Sequence, residues 1–112
     1  SLVISDVNKD IELEQLGTPQ EVGQTLIDKV IAPEGSGRTV ELLNANQRDT
    51  SNHIFYDLEY KLNINNQDRH ELATVVIDRG TLYTFAVGTN QERWNKVEKL
   101  FGNVIESFNF LI

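Results

Sequence analysis

The stretch that most constrains the fold of this chain lies between residues 70 and 90, where two apolar segments flank a tight turn. Gly80 accepts a positive φ without steric cost, so Arg79-Gly80 predicts a two-residue hairpin turn. Such a turn fixes which residues face one another across the hairpin. The predicted pairs are Asp78/Thr81, Val76/Tyr83, Thr74/Phe85, Leu72/Val87 and His70/Thr89.

Both faces of the predicted hairpin are largely apolar. One face carries Leu72, Val76 and Phe85, and the other carries Val75 and Leu82. Strands that are apolar on both sides are covered on both sides, so the hairpin predicts a sheet between two layers. The second face is also rich in small residues, which predicts close approach by a helix. These residues are Ala73, Ala86 and Gly88.

Further strands are predicted at residues 1–7, 38–47 and 53–64, the last from a clear alternation of apolar and polar side chains. Residues 48–52 and 65–69 are polar and predict the connecting turn and hairpin loop. With the hairpin described above, these segments predict an antiparallel sheet of at least four strands.

Two helices are predicted, one after the first strand and one at the C-terminus. Thr18 as N-cap, Pro19 at the first helical position and Glu21 in a capping box start the first helix, which ends before Pro33. Asn90 is the predicted N-cap of the second helix. The class is therefore α+β. The predicted buried stripe of the second helix is Trp94, Val97, Phe101, Val104, Ile105 and Phe108.

Composition excludes several classes of function. The chain has no Cys, which rules out disulfides, thiolate catalysis and Cys-based zinc sites. The net charge of −7 opposes binding to phosphate backbones, so nucleic acid is not expected as a partner. Most of the acidic excess lies in residues 1–34, which form either a solvated face or a surface that attracts cations or a basic partner.

The sequence shows no Ser-His-Asp arrangement, Gly-rich phosphate loop or HExxH motif, so no catalytic residues are predicted. His53 is predicted to be a surface residue. The hairpin register places His70 beside the residues that follow the second strand, among them Gln91 and Glu92. Together these three side chains predict a weak divalent-cation site. The alternative is a strand-end histidine that hydrogen-bonds the next turn. Glu71 is predicted to point to the opposite face.

Four stretches in this order resemble the PsbP family of extrinsic photosystem II subunits: "LGTPQEV", "FYDLEY", "HELATVVIDRGTLYTFAV" and "ERWNKVEKLFGNVIESF". The resemblance runs nearly end to end. Its most specific parts are the helix start at Gly17–Glu21, "GTLY" at Gly80–Tyr83, and the segment Arg93–Phe108. The short loops between Arg38 and Arg69 are similar to the cyanobacterial type more than to the plant subunit.

The resemblance implies an α-β-α sandwich with a central antiparallel sheet, and a non-enzymatic role. The implied partners are photosystem II core proteins on the lumenal side of the thylakoid. Binding there assists assembly or stability of photosystem II and its oxygen-evolving centre, and the plant subunit retains calcium and chloride. The implied state is a monomer, associated peripherally with the membrane, through a lipid anchor upstream of Ser1 in the cyanobacterial members.

The resemblance also bears on the cation site. His70 matches a family position that binds a divalent cation, but the family's partner Asp is replaced here by Gln91, with Glu92 beside it. No obligatory cofactor is implied, and zinc, manganese or calcium are the candidate ions.

The family domain opens with an N-terminal hairpin that this sequence lacks. Residues 1–112 are therefore expected to be a single PsbP-like domain that is incomplete at its N-terminus, with an unpaired sheet edge.

Three hypotheses remain open: a photosystem II accessory protein, a cation-binding or delivery module centred on His70, and an enzyme or ligand-binding domain that shares the pattern. For the first hypothesis, charged residues at the ends of the hairpin and in the acidic stretch are the candidate contacts with the partner. They are Arg69, Arg79, Arg93, Lys96, Lys99, Asp6, Asp10, Glu12 and Glu14.

Overall fold

Five antiparallel strands form one sheet in the order β1-β5-β4-β3-β2, in a computed structural model that describes residues 2–7 and 10–108. Helices precede β2 and follow β5, so the predicted α+β class is confirmed. The strands are β1 Leu2–Asp6, β2 Thr39–Asp49, β3 Ile54–Ile64, β4 Gln67–Asp78 and β5 Thr81–Asn90. The helices are α1 Leu13–Leu16, α2 Pro19–Leu26 with a π-helical turn at Ile27–Ile31, and α3 Trp94–Ser107 after a 3₁₀ turn at Gln91–Arg93.

The β4–β5 hairpin has the predicted register throughout, from Asp78↔Thr81 to His70↔Thr89. Its turn residues Arg79 and Gly80 have φ values of 52° and 78°. Two positive φ values in succession define the type I′ turn, whose twist matches that of the flanking strands. The turn therefore fixes which side chains of β4 and β5 point to each face.

Helices cover the two faces of the sheet, which confirms the α-β-α sandwich. Helix α2 lies against β2 and β3, and α3 lies against β4 and β5. Under α2 the core includes Tyr56, Leu58, Tyr60 and Val75. Under α3 it is built from Phe55, Val76 and Phe108, with Tyr83 and Phe85 packed against them.

The predicted start of α2 is confirmed. The Thr18 hydroxyl accepts the Glu21 N–H at 3.2 Å, and the Glu21 carboxylate accepts the Thr18 N–H at 2.9 Å. This backbone hydrogen bond, with the Thr18 hydroxyl, lowers the pKa of Glu21. The predicted cap at Asn90 is wrong, because its side chain makes no capping bond and a 3₁₀ turn leads into α3 instead.

The small residues of β4 and β5 lie on the face that α2 covers: Ala73 shares a core cluster with Val22, and Leu26 and Ala86 pack against that cluster. The helix itself approaches the sheet closely at a glycine, Gly23, where an added Cβ would lie 3.1 Å from Leu58 and 3.3 Å from Leu42. Gly88 is small for another reason. Its missing side chain leaves the space that the Glu71 side chain occupies.

The polar segment 65–69 is a shorter turn than predicted. Only Asn65 and Asn66 form it, with φ values of 52° and 65°, and Ile64 already pairs with Gln67. This tight turn sets the β3–β4 register, in which Lys61 faces His70. The expected additional N-terminal hairpin stays a prediction; β1 is the edge strand of the described sheet.

Replacement of Gly88 by Ala should destabilise the fold. A Cβ at this position collides with the Glu71 side chain, whose carboxylate accepts a hydrogen bond from the buried Tyr60 hydroxyl at 2.8 Å. Moving Glu71 leaves that hydroxyl without its acceptor, so we expect the free energy of unfolding to fall by about 2 kcal/mol. Urea denaturation measures the change.

The matched control is Gly102→Ala. Gly102 lies inside α3, and an added Cβ there has no neighbour within 4 Å. Alanine favours a helix interior, so this variant should gain about 0.5–1 kcal/mol. Equal stability of Gly88→Ala and the unmodified protein would show that Glu71 relaxes without cost and would contradict the steric argument.

Candidate functional site

His70 lies near the start of β4 on the face that α3 covers, and only 4% of its surface is exposed. The indole of Trp94 stacks on its imidazole, with ring centroids 3.8 Å apart and an interplanar angle of 10°. The stack forms because β5 ends beside His70 and the 3₁₀ turn directs the chain back over the sheet. Trp94 is the first residue of α3, so the stack also fixes where that helix begins.

Both nitrogens of the His70 ring have hydrogen-bond partners. Nε2 lies 2.6 Å from Oε2 of Glu59, and Nδ1 lies 3.1 Å from Oε1 of Gln91. A ring protonated on both nitrogens donates to both oxygens. A neutral ring satisfies the same geometry when the Gln91 amide is turned so that its NH₂ donates to Nδ1. In either state the ring is held from both edges and from one face.

The structure brings together two of the three predicted cation ligands. Gln91 contacts His70, whereas Glu92 is exposed and the carboxylate that reaches the ring belongs to Glu59. Glu71 points to the opposite face, as predicted, and bonds Tyr60. Sequence analysis missed Glu59 because its position depends on the β3–β4 register. An Asn-Asn pair between two strands is the signal from which that register follows.

The fit of these residues to a divalent cation is limited. The Nε2 atom and the Glu59 carboxylate converge on one point, whereas Gln91 lies at the other ring nitrogen. Within residues 2–7 and 10–108, no three His, Asp or Glu side chains form a metal-binding group. A cation here would have two protein ligands and water, with Gln91 orienting the ring through Nδ1.

The second histidine is not the surface residue that was predicted. The His53 side chain is only 13% exposed, and its Nε2 lies 2.8 Å from Oδ1 of Asp78. Its Nδ1 is buried and has no hydrogen-bond partner among the described residues. An open cleft of about 420 Å³ adjoins this pair, between the β2–β3 loop, the β4–β5 turn and the start of α1.

On the opposite face of β4, the Glu71 carboxylate accepts a hydrogen bond from the Tyr60 hydroxyl. Burial, and then the neighbouring Glu71 carboxylate, raise the pKa of Tyr60 far above its usual range. The Tyr60 hydroxyl therefore stays a neutral donor. Arg69 lies 3.5 Å from the same carboxylate, so it is partly engaged within the domain.

The predicted partner residues lie at opposite ends of the sheet. The end at which β5 finishes and α3 begins, here called the basic end, carries Arg69, Arg93, Lys96 and Lys99. All except Arg69 are exposed. The other end, here called the acidic end, is formed by the β4–β5 turn and the segment that follows β1. The predicted partner residues at this end are Asp6, Asp10, Glu12, Glu14 and Arg79, all of them exposed.

Known proteins resemble this chain in sequence and in fold. A family model described as PsbP matches residues 1–110. CyanoP of Thermosynechococcus vestitus is 37% identical over 96% of the chain, and CyanoP of Synechocystis sp. is 38% identical over 97%. PsbP-like protein 1 of Arabidopsis thaliana, a chloroplastic protein, is 31% identical over 89% of the chain and 43% of its own length.

The solution structure of CyanoP from Synechocystis sp. superposes with a TM-score of 0.81 and 36% identity, over 96% of this chain and 63% of that one. The chain spans 62% and 58% of the two CyanoP sequences. No helix within the described residues is long and apolar enough to cross a membrane. With a matching family model over nearly its whole length and a matching fold, the chain belongs to the PsbP family.

Proposed function

We propose that this protein is an accessory protein of photosystem II, bound at the lumenal surface of the thylakoid membrane, where it assists assembly or stability of the oxygen-evolving complex. The observation that carries the proposal is the PsbP family match over residues 1–110, together with the fold shared with CyanoP. The lumenal location is supported by a further relative, the photosynthetic NDH subunit of lumenal location 1 of Arabidopsis thaliana, which is 28% identical over 89% of the chain.

Within this proposal the basic end is the surface that contacts the photosystem. The protein as a whole is acidic, with a net charge of −7, and three exposed cations, Arg93, Lys96 and Lys99, lie close together at this end beside the exposed carboxylates Glu92 and Glu98. Lys96 and Lys99 lie one turn apart on α3, next to Arg93. Such a group attracts acidic loops of a partner, and its effect weakens as salt screens the charges.

Charge reversal at the basic end should release the protein from its partner. We expect full-length tagged protein to capture photosystem II core or assembly complexes from solubilised thylakoids at low salt, and to release them at higher salt. The double variant Lys96→Glu/Lys99→Glu should recover at most about one tenth as much, because like charges at an interface repel. Immunoblots against core subunits measure the recovery.

The control reverses two charges at the acidic end, Glu12→Lys and Glu14→Lys, and should leave capture unchanged. Both residues are exposed, as the two lysines are. Because the Glu12 side chain also belongs to the capping box of α1, thermal melting checks that the control is folded. If the control alone loses capture, the contact surface lies at the acidic end. If the unmodified protein captures nothing above a scrambled-charge control, the proposed function is wrong.

A second candidate function is weak divalent-cation binding or delivery at His70. The observation that favours it is the convergence of the His70 Nε2 atom and the Glu59 carboxylate, while Gln91 holds the opposite ring nitrogen. A cation that replaces the Nε2 proton would be bound by His70 and Glu59. The Nδ1–H donated to Gln91 would then fix the tautomer, as is usual for metal-binding histidines.

Titration calorimetry with Zn²⁺, Mn²⁺ and Ca²⁺ separates this arrangement from the one predicted by sequence. His70→Phe keeps an aromatic ring against Trp94 and should abolish binding. Glu59→Gln should weaken it by about tenfold or more, whereas Glu92→Gln should leave it unchanged. A loss in Glu92→Gln without one in Glu59→Gln would restore the ligand set His70, Gln91 and Glu92.

A further inference from the structure

The two nitrogens of the His70 ring face different parts of the sheet. Nδ1 is directed at Gln91, which follows β5, and Nε2 is directed at Glu59 on β3. Trp94 covers one face of the ring. A cation held between Nε2 and the Glu59 carboxylate would therefore lie next to β3. The other side chains of β3 on this face then set the charge that such a cation meets.

Lys61 is the residue of β3 that lies directly opposite His70. The two-residue Asn65-Asn66 turn closes on a hydrogen-bonded pair, and the alternation that follows leaves the Lys61–His70 pair without mutual backbone hydrogen bonds. In pairs of this kind the Cα atoms are about 4.5 Å apart and the side chains are closest. Glu59 lies two residues before Lys61, so both side chains point to the same face. Lys61 thus lies beside both candidate ligands.

The charge of Lys61 is not neutralised by a direct partner. Its side chain is exposed and makes no ion pair with any described residue, and the Glu59 carboxylate is already bonded to His70 at 2.6 Å. Glu41 faces Lys61 from β2. Strand spacing places Glu41 about 10 Å from the His70 backbone and Lys61 about 5 Å from it. The nearer of the two charges is positive, so it contributes more to the potential at Nε2.

We propose that Lys61 is a specificity-determining residue of the His70 site, where its ammonium group repels divalent cations and limits their affinity. The inference rests on the proposed cation binding by His70 and Glu59. Repulsion scales with the product of the charges, so Lys61 opposes a divalent cation about twice as strongly as it opposes a proton on Nε2. A charge placed in this way is a repulsive element against one class of ligand. The site therefore favours a proton over a metal ion.

Zinc titration calorimetry on the intact protein, at fixed pH and low salt, compares Lys61→Leu with the unmodified protein. Leucine removes the charge and adds no atom that binds a metal. We expect Zn²⁺ to bind about tenfold more tightly to Lys61→Leu. Lys61→Arg keeps the charge and should bind as weakly as the unmodified protein. Lys99→Leu changes the net charge equally at an exposed position on α3, and should alter the affinity by about twofold or less.

The salt dependence separates charge repulsion from a change in packing. Repulsion between partly exposed charges is screened by salt, so the ratio of the two affinities should fall from about tenfold at low salt to about threefold at 0.5 M salt. A site that Lys61→Leu had repacked would keep the same ratio. Glu41→Gln removes the opposing charge and should weaken Zn²⁺ binding by about threefold or less. Thermal melting checks that each variant is folded.

The outcomes separate this inference from the cation function on which it rests. Equal affinity of Lys61→Leu and the unmodified protein overturns the inference and leaves cation binding at His70 in place. An equal gain in Lys99→Leu also overturns it, because the effect then belongs to net charge. If neither the unmodified protein nor Lys61→Leu binds Zn²⁺ at millimolar concentration, the cation function and the inference both fail. A gain confined to Lys61→Leu that salt reduces supports the inference.

Discussion

The fold depends on one turn. Arg79 and Gly80 adopt positive φ, and the hairpin they close is apolar on both faces. A shift of one residue in that hairpin would exchange its two faces and carry every side chain of β4 to the wrong side. With the register fixed, the sheet needs a helix on each side: α2 covers one face, where Val22 shares a core cluster with Val75, and α3 covers the other. The layered architecture is thus the consequence of a local constraint.

The same register places two polar clusters on opposite faces of β4. In a strand with one solvent-exposed face, such polar side chains would lie on that face and not against the core. Glu71 points toward the α2 face, where Gly88 leaves room for it and Tyr60 bonds it. His70 points toward the α3 face, where Glu59 and Gln91 bond it and Trp94 covers it. The polar side chains of these two clusters are hydrogen-bonded by their neighbours, so neither cluster carries the cost of an unpaired group.

Sequence reasoning predicts the parts of this structure that local signals fix. The hairpin register follows from one glycine turn, and the start of α2 follows from Thr18, Pro19 and Glu21. The resemblance to the PsbP family adds the sandwich architecture, and the hairpin register places His70 beside Thr89. These features depend on residues close together in the chain, for which turn and capping chemistry is specific.

The errors at the two histidines share one cause. Treating residues 65–69 as a loop leaves the β3–β4 register open, whereas the Asn65-Asn66 turn fixes it. With that register, Glu59 lies diagonal to His70 and is close enough to bond it. The same ladder, continued past Phe55↔Val76, brings His53 to Asp78 and leaves its side chain only 13% exposed. Because this tight turn was not recognised in the sequence, the partners of the two histidines, Glu59 and Asp78, were not predicted.

The position of Trp94 links the histidine site to the surface proposed to contact a partner. Trp94 stacks on His70 and is also the first residue of α3, the helix that carries Lys96 and Lys99. An event that changes the hydrogen bonds of the imidazole acts directly on the ring that anchors the helix start. At its other end α3 is held to the sheet by Phe108 against Phe85, with ring centroids 5.0 Å apart. Two stacked aromatic pairs thus fix both ends of α3 on the sheet, and with them the position of Lys96 and Lys99 relative to His70.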